Sequence, residues 1–463
     1  MGIGVGHAEQ LYARDTYEIS GDLNGNLSAM LSGHQLQRYT ASKGSLDPNR
    51  YIFVRYKLTK SPSSTDFDQL AVQLALSASL GSVNPLPFED DRNRHRHSAL
   101  VVSVEEIDAV NVYVELAFPI TLFSPESGLP HLCTLVCYPS EFIYSGGFWV
   151  ENIELPPTVI ETMPGPTFGS QGILSKFKSN HPLFGIITKP RLGPDLATIL
   201  GKAKEALEGG ADLVIEDELI HCSMTDCTFT ERVRRSVDVC RQAELHTGLA
   251  KGYIPNVAGP LSQVVAQIDI AKQAGALAVQ VNTFSLGLGG LVDLVSHHNV
   301  GVPIIDCSVG IGLLSRPPFV NGISESVWAC FSRLSGSDGY YTGITGMHVW
   351  YTRRSVRRTL HAITDAIRGK RPALPVGASG INPANVWDAA NQMGSDSLLL
   401  SGTGILSYPG GPKVPCQCIQ EVLRQVPCDT DPVLAHAAIS KLGERNKKIG
   451  EVLDAYNYGK SEG

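Results

Sequence analysis

The feature that most constrains the fold of this sequence is a regular alternation that begins near residue 183. Short runs rich in β-branched and apolar residues alternate with longer segments of helical periodicity. The predicted strands are 183–188, 212–216, 249–254, 276–282, 303–307, 340–345, 374–377 and 397–401. Helical patterns follow at 194–208, 230–246, 261–273, 355–367, 383–393 and 413–423. Eight such units within roughly 240 residues indicate an α/β protein whose sheet closes into a parallel (β/α)8 TIM barrel, rather than an open doubly wound sheet.

The residues before the barrel predict a smaller α+β domain of ferredoxin-like type. Its predicted strands are 51–58, 99–104, 109–117, 132–137 and 148–153, and its predicted helix is 66–80. Four prolines between 156 and 166 then indicate a linker. The expected organisation is an extension (1–48), the α+β domain (49–165), the barrel (166–430) and a helical tail (431–463).

Composition excludes several classes of protein. The net charge is −7, and the sequence has neither blocks of basic residues nor an apolar run of the roughly 20 residues that a membrane helix needs. No secretory signal is visible at the N-terminus. Ten scattered cysteines indicate reduced thiols, and Cys416-Gln-Cys418 lacks the second ligand pair of a zinc site. We therefore expect a cytoplasmic protein with a small-molecule substrate and with no nucleic-acid or membrane partner.

The end of the first barrel strand carries a lysine. Residues 185–193 read GIITKPRLG, which places Lys189 just before a proline at the barrel mouth, where TIM barrels carry their chemistry. A lysine there could anchor an anionic substrate, move a proton or form an imine. The alternative is a solvated loop lysine.

The second strand ends in a run of carboxylates. Residues 209–218 read GGADLVIEDE, so that Glu216, Asp217 and Glu218 are consecutive. Adjacent carboxylates repel one another unless a cation gathers there, and Mg²⁺ prefers such oxygen ligands. A solvated acidic loop is equally compatible with this run.

Two glycine-rich turns follow the seventh and eighth strands. They read GASGIN from residue 377 and SGTG from residue 401. Exposed backbone N–H groups at this place in a barrel often bind phosphate, although simple tight turns also need glycine. The candidate phosphate-binding residues are Ser379, Gly380, Gly402, Thr403 and Gly404.

Three further features of the sequence carry weaker signals. The glycines in GLGG at 287–290 have the wrong spacing for a dinucleotide fingerprint, so no nucleotide cofactor is expected. Cys307 and His348 lie near strand ends and are candidate acid–base or nucleophilic groups. A buried thiol is the commoner role for a cysteine such as Cys307.

Together these motifs resemble the large-subunit family of ribulose-1,5-bisphosphate carboxylase (RuBisCO), over about residues 50–430. The run 185–193 resembles the family's Lys-Pro-x-Leu-Gly motif, and 209–218 resembles its metal-binding strand. Residues 333–338, 378–381 and 402–404 resemble its later barrel signatures. The resemblance implies a RuBisCO-type N-terminal domain, a barrel, and a homodimer with the site between subunits.

The resemblance also implies roles for individual residues. Lys189 corresponds to the enolising lysine, and Asp217 and Glu218 correspond to two carboxylate ligands of Mg²⁺. The lysine that the family carbamylates to complete the metal site corresponds to Ile215, which can neither be carbamylated nor bind metal. Ser82 corresponds to a phosphate contact.

Other positions depart from the family pattern. The loop after the sixth strand, GMHV at 346–349, offers no lysine for carboxylation. The remaining departures are Arg191 for a second lysine, Cys307 and Ser308 for a histidine and an arginine, Tyr341 for a phosphate-binding histidine, and Ser77 and Pro139 for acidic and amide residues of the N-terminal domain.

These departures make the chain similar to the non-carboxylating RuBisCO-like branch, whose members act on enolisable, often phosphorylated keto-sugars or thiosugar derivatives by isomerisation, enolisation or C–C cleavage. We expect an enzyme in which Lys189 moves or stabilises a proton next to a carbonyl group, assisted by Arg191 and a weakly held Mg²⁺. Two alternatives remain open: a metal-independent lyase that forms a Schiff base at Lys189, and a binding protein that kept the barrel without catalysis.

Overall fold

The computed structural model describes residues 31–59, 66–141, 147–220, 223–224, 227–316, 321–346 and 350–459. Most of the predicted N-terminal extension, residues 1–30, lies outside these ranges. The described part of the extension contains a short α-helix, Gly33–Arg38, and a 3₁₀ turn, Lys43–Ser45. Among the described residues, none of the helices combines the length and apolar character needed to cross a membrane.

A five-stranded mixed sheet forms the N-terminal part of the fold. Four of its strands are Tyr51–Thr59, Leu100–Glu106, Asn111–Pro119 and Gly147–Glu154, which pair antiparallel. The fifth is Gly322–Ile323, which comes from the barrel region and pairs parallel with Trp149 and Val150. The accompanying helices are Phe67–Leu80, Asp91–His97, Gly128–Cys137, Pro157–Glu161 and Gln171–Leu174, with 3₁₀ turns at Ile120–Leu122 and Tyr138–Glu141.

One predicted strand of this region is wrong. Residues 132–137 belong to the helix Gly128–Cys137. Leu129, Leu132 and Val136 are fully buried, and their spacing of three and four residues places them on one helical face. The apolar residues of this segment therefore follow the period of a helix, and not the alternation of a strand.

The expected barrel is confirmed. Its eight parallel strands are Leu183–Ile187, Leu213–Ile215, Gly252–Ile254, Val279–Val281, Ile304–Asp306, Gly339–Thr342, Leu374–Gly377 and Leu398–Ser401. The main helices that follow them are Leu196–Glu208, Phe229–Thr247, Leu261–Ala274, Leu288–His297, Glu325–Ser335, Arg353–Thr364, Val386–Met393 and Lys413–Gln425. Shorter elements are the helices Thr283–Leu286, Gly312–Ser315 and Thr403–Leu406 and the hairpin of Ser223–Met224 with Cys227–Thr228, and the tail forms Pro432–Arg445 and Lys447–Ala455.

The barrel closes between its third and fourth strands. The backbone N–H of Gln280 donates to the carbonyl of Pro255, and the N–H of Val257 donates to the carbonyl of Gln280, each at 2.9 Å. Apolar side chains from several strands, including Ile215 and Ile254, fill the interior. Because the interior is packed, a substrate can reach the barrel only at its mouth, at the carboxyl ends of the strands.

Candidate functional site

Three of the candidate residues meet at the barrel mouth. Lys189 follows the first strand, and its Nζ atom donates a hydrogen bond to Oδ2 of Asp217, which follows the second strand. Nε of Arg191 lies 2.7 Å from Oδ1 of the same carboxylate. Asp217 is fully buried, whereas the side chains of Lys189 and Arg191 are 27% and 46% exposed. Two cations therefore share one buried carboxylate and keep part of their surface open to a ligand.

The three consecutive carboxylates do not share one site, because side chains alternate across a strand. Val214 and Glu216 face the helices, whereas Ile215 and Asp217 face the barrel interior. Glu216 accepts hydrogen bonds from Arg232 and Tyr253 in a buried cluster, so it contributes to packing between the barrel and its helices. The side chain of Glu218 is half-buried, one position beyond Asp217.

Burial and neighbouring charges set the ionisation of the cluster formed by Glu216, Arg232 and Tyr253. Burial works against the charge of Arg232, but the Glu216 carboxylate 2.6 Å away keeps the pKa of Arg232 above its ordinary value. Burial, together with the charge of Glu216, raises the pKa of Tyr253 well above its usual range. Tyr253 therefore stays a neutral donor to a charged pair.

A chain of hydrogen bonds links the half-buried Tyr341 with the buried Gln280 and Asn256. The hydroxyl of Tyr341 donates to Oε1 of Gln280 at 2.7 Å, and Nε2 of Gln280 donates to Oδ1 of Asn256 at 3.3 Å. Nδ2 of Asn256 donates in turn to the carbonyl of Glu218 at 3.1 Å. Burial raises the pKa of Tyr341 well above its usual range, and the nearby Cys307, Glu218 and Asp217 add to this shift. The hydroxyl therefore remains protonated and orients Gln280.

Sequence reasoning missed Gln280 and Asn256. The available signal was a polar side chain inside an otherwise apolar predicted strand, 276–282, and a second one just after the third strand. Buried amides must be hydrogen-bonded, so this pattern indicates a polar network.

The structure places Cys307 at the end of the fifth strand. It is buried, and burial, followed by the charge of Asp306, raises the pKa of its thiol well above the ordinary value. The thiol is therefore neutral at physiological pH, whereas a nucleophilic cysteine acts as the thiolate. Its neighbour Ser308 has a positive φ of 48° and donates to Asp306 through both its backbone N–H and its hydroxyl. His348 lies outside the described residues.

The glycine-rich turns lie together beside Lys189. A Cβ atom at Gly404 would lie 2.2 Å from the carbonyl oxygen of Ile381, so only glycine lets the turns after the seventh and eighth strands approach this closely. A Cβ atom at Gly402 would lie 3.2 Å from Cγ of Lys189. Ser379 is exposed and has a positive φ of 85°, and Gly380 and Thr403 are also exposed. The structure thus brings the candidate phosphate turns and the candidate catalytic lysine to one place.

Ser82 lies in the N-terminal part of the chain. Its hydroxyl accepts a hydrogen bond at 3.1 Å from Nη1 of Arg94, which is itself buried and paired with Glu89 at 2.7 Å. These contacts hold the serine within its own domain, and they do not connect it to the barrel mouth of the same chain.

The residues at the barrel mouth do not fit Mg²⁺ as the RuBisCO resemblance implies it. Ile215 is fully buried among apolar side chains at the place of the carbamylated lysine. Both carboxylate oxygens of Asp217 are already engaged: Oδ2 accepts a hydrogen bond from Lys189, and Oδ1 accepts one from the backbone N–H of Leu219 and forms an ion pair with Arg191. In the part of the chain that the structure describes, no three His, Cys, Asp or Glu side chains are grouped so as to hold a metal ion.

Comparisons with known proteins agree with this architecture. The family model described as "Ribulose bisphosphate carboxylase large chain, catalytic domain" matches residues 170–438. A protein of Geobacillus kaustophilus named 2,3-diketo-5-methylthiopentyl-1-phosphate enolase is 28% identical over 361 residues, which cover 75% of this chain and 86% of the relative.

Solved structures show the same fold. An octameric RuBisCO of Pyrococcus horikoshii has a TM-score of 0.80 at 21% identity, over 92% of this chain and 98% of that chain. A rubisco-like protein of Alicyclobacillus acidocaldarius has a TM-score of 0.76 at 23% identity, over 88% and 99% of the two chains. The family model covers more than half of the sequence, and the fold agrees along nearly its whole length. The chain therefore belongs to the RuBisCO large-chain family.

Proposed function

We propose that this chain is a RuBisCO-like enzyme that enolises a phosphorylated keto compound and does not fix CO₂. The observation that carries the proposal is the cluster of Lys189, Arg191 and Asp217 beside the turn at Gly402. It combines a proton carrier, a fixed positive charge and a candidate phosphate site within one barrel mouth. The name of the Geobacillus kaustophilus relative, a diketone phosphate enolase, supports the same class of substrate.

The two cations would act on different parts of the reaction. Arg191 contacts Asp217 through Nε, and its guanidinium carries further N–H donors that can bind the carbonyl oxygen of a substrate. A positive charge at that oxygen stabilises the enolate that forms when the neighbouring carbon loses a proton.

Lys189 would move the proton. Because Nζ contacts Oδ2 of Asp217, one proton of the ammonium can pass to that oxygen and leave the amine lone pair free. The amine then takes the proton from the substrate carbon, and the electrons of the broken C–H bond form the enolate. Returning the proton from Asp217 to the enolate, directly or through Lys189, completes the cycle.

The turns after the seventh and eighth strands would hold the phosphate group. The aliphatic chain of Lys189 packs against Gly402, so an anion bound at this turn lies next to the amine. Exposed backbone N–H groups at such turns bind phosphate in many barrels. Binding the phosphate here would orient the carbonyl end of the substrate towards Arg191.

A Schiff base at Lys189 is the second candidate mechanism. The free amine would attack the substrate carbonyl and water would leave, and the protonated imine would keep a positive charge beside Asp217. Borohydride reduction in the presence of substrate separates the two mechanisms, because only an imine is trapped as a covalent adduct at Lys189.

We further propose that the chain forms a homodimer, as the family resemblance implies. The Pyrococcus horikoshii relative is an octamer, which supports assembly in this family. Light scattering on the purified chain tests the proposal, and a monomer at assay concentration would contradict it.

The function is tested by offering two substrates to the purified chain. With 2,3-diketo-5-methylthiopentyl 1-phosphate, we expect formation of the enol, followed by its ultraviolet absorbance and by phosphorus NMR. With ribulose 1,5-bisphosphate and labelled CO₂, we expect no acid-stable label. Incorporation of label would contradict the proposal, and so would a failure to exchange any proton next to the carbonyl of either compound.

A further inference from the structure

We infer that Lys189 and Arg191 take the place of the metal ion beside Asp217, with Arg191 supplying the lasting positive charge at the substrate oxygen, so that this barrel mouth works without a divalent cation. The inference deepens the proposed function, since it concerns the same site, and it rests on the contacts of three residues. It sets this chain apart from the Mg²⁺-dependent arrangement that the family resemblance implies.

Protein groups already compensate the carboxylate charge of Asp217. Its carboxylate is fully buried, and a buried charge needs compensation from its surroundings. Lys189 and Arg191 supply two positive charges in direct contact. A divalent cation that bound the same oxygens would have to displace both groups or lie beside them against their repulsion.

Few oxygen atoms remain at this site as ligands for a metal ion. Oδ1 of Asp217 accepts a hydrogen bond from the backbone N–H of Leu219 at 3.0 Å and pairs with Arg191, and Oδ2 accepts a hydrogen bond from Lys189. At the third ligand position, Ile215 is fully buried and extends into the apolar interior of the barrel. Glu218 is then the one remaining family ligand, and Mg²⁺ needs near-ideal octahedral coordination by oxygen.

Position 191 carries an arginine, where the family has a lysine. A guanidinium is planar, stays charged in proteins and presents five N–H donors. Through Nε it contacts Oδ1 of Asp217, while its half-exposed side chain keeps donors for a ligand. A permanent cation with several fixed donors suits the role of a resident electrophile better than a single ammonium does.

The metal half of the inference is tested by Mn²⁺ binding. The full chain is stripped with a chelator, and Mn²⁺ is titrated in the presence of bicarbonate while the paramagnetic resonance signal reports free ion. We expect the same weak isotherm for the wild-type chain and for Asp217→Asn. A stoichiometric site in the wild type that Asp217→Asn removes would overturn the inference.

The catalytic half is tested with Arg191 variants. We expect the chelator-treated enzyme to retain its full enolisation rate, and Arg191→Gln to lose about 100-fold or more, as when one oxyanion donor is removed. Arg191→Lys should keep more activity than Arg191→Gln, and added Mg²⁺ should restore neither variant. Restoration of Arg191→Gln by Mg²⁺ would contradict the inference. If the chain enolises none of the substrates offered, the proposed function fails, whereas the Mn²⁺ titration still decides the question of the metal.

Discussion

Gly402 lies against the side chain of Lys189, so the eighth strand of the barrel borders the lysine of the first. An atom added at the Cβ position of Gly402 would lie 3.2 Å from Cγ and 3.5 Å from Cε of that lysine. The 3.2 Å distance to Cγ is tighter than ordinary van der Waals contact, so the flexible lysine must move by a few tenths of an ångström if the glycine is replaced by a larger residue. The position of the candidate catalytic amine thus depends on a residue of the candidate phosphate turn.

Replacing Gly402 with alanine should therefore reduce the rate of enolisation. A displacement of a few tenths of an ångström at Lys189 should cost about tenfold in kcat, because misplacing a reacting group by about 1 Å can cost about 100-fold. Steady-state kinetics measure the effect. Gly201→Ala is the matched control, since its Cβ would meet nothing within 4 Å in the helix Leu196–Glu208. It should leave the rate of enolisation unchanged and stabilise the fold by about 0.5–1 kcal/mol. Equal rates for Gly402→Ala and Gly201→Ala would contradict the proposal that Gly402 positions Lys189.

Removing Arg232 should destabilise the fold without involving the barrel mouth directly. The side chains of Arg232 and Glu216 are each 3% exposed, and breaking such a buried pair leaves an uncompensated charge. We expect Arg232→Met to lower the free energy of unfolding by about 3–5 kcal/mol, measured by urea denaturation.

The same helix provides the control for this change. Arg235 pairs with Glu231 at 3.4 Å, and both side chains are nearly half-exposed. Arg235→Met removes the same charge and should change the free energy of unfolding by no more than about 0.5 kcal/mol. A loss of similar size for both variants would show that the burial of the Glu216 pair does not matter.

The stability of the fold should depend on pH through Glu325. Burial raises its pKa to about 8, and a hydrogen bond from Tyr351 offsets only part of that effect. An unfolded glutamate has a pKa of about 4.3, so between about pH 4.3 and pH 8 the folded state binds a proton that the unfolded state has lost. Unfolding therefore becomes easier as the pH rises through this window.

This dependence is isolated by replacing the acid with its neutral analogue. Relative to the wild type, Glu325→Gln should become more stable as the pH rises from about 5 to about 8, since glutamine cannot ionise. Denaturation series at several pH values give the difference. The exposed Glu451, on the helix Lys447–Ala455, provides the control Glu451→Gln, for which we expect a flat difference. A flat difference for Glu325→Gln as well would refute the prediction.

The sequence predicts the barrel because its signal is periodic and local. Each strand is a short apolar run, and the order of strands and helices determines which strand ends meet at the mouth. The prediction failed at 132–137, where apolar residues are dense enough to fit a strand but are spaced as in a helix. It also missed the pairing of Gly322–Ile323 with the N-terminal sheet, since a two-residue strand carries no periodicity.

The individual residues of the candidate site could be predicted from the sequence, but the contacts between them could not. Lys189 and Asp217 are 28 residues apart, and no local pattern states that they share a hydrogen bond. The directions of Glu216 and Asp217 follow from strand alternation and could have been separated in the sequence. Arg191 pairs with the Asp217 carboxylate because of the path of the loop after the first strand. Only the folded chain shows that path.

Solvent deuterium exchange directly measures whether Lys189 moves a proton next to a substrate carbonyl. The purified chain is incubated in deuterated buffer with the diketone phosphate, and proton NMR follows the signal of the carbon next to the carbonyl. Lys189→Met is compared with Lys202→Met, which removes an exposed lysine that pairs with Glu205 three positions later on the helix. We expect exchange by the wild type and by Lys202→Met, and an exchange rate about 100-fold or more lower for Lys189→Met. Undiminished exchange by Lys189→Met would contradict this role of Lys189.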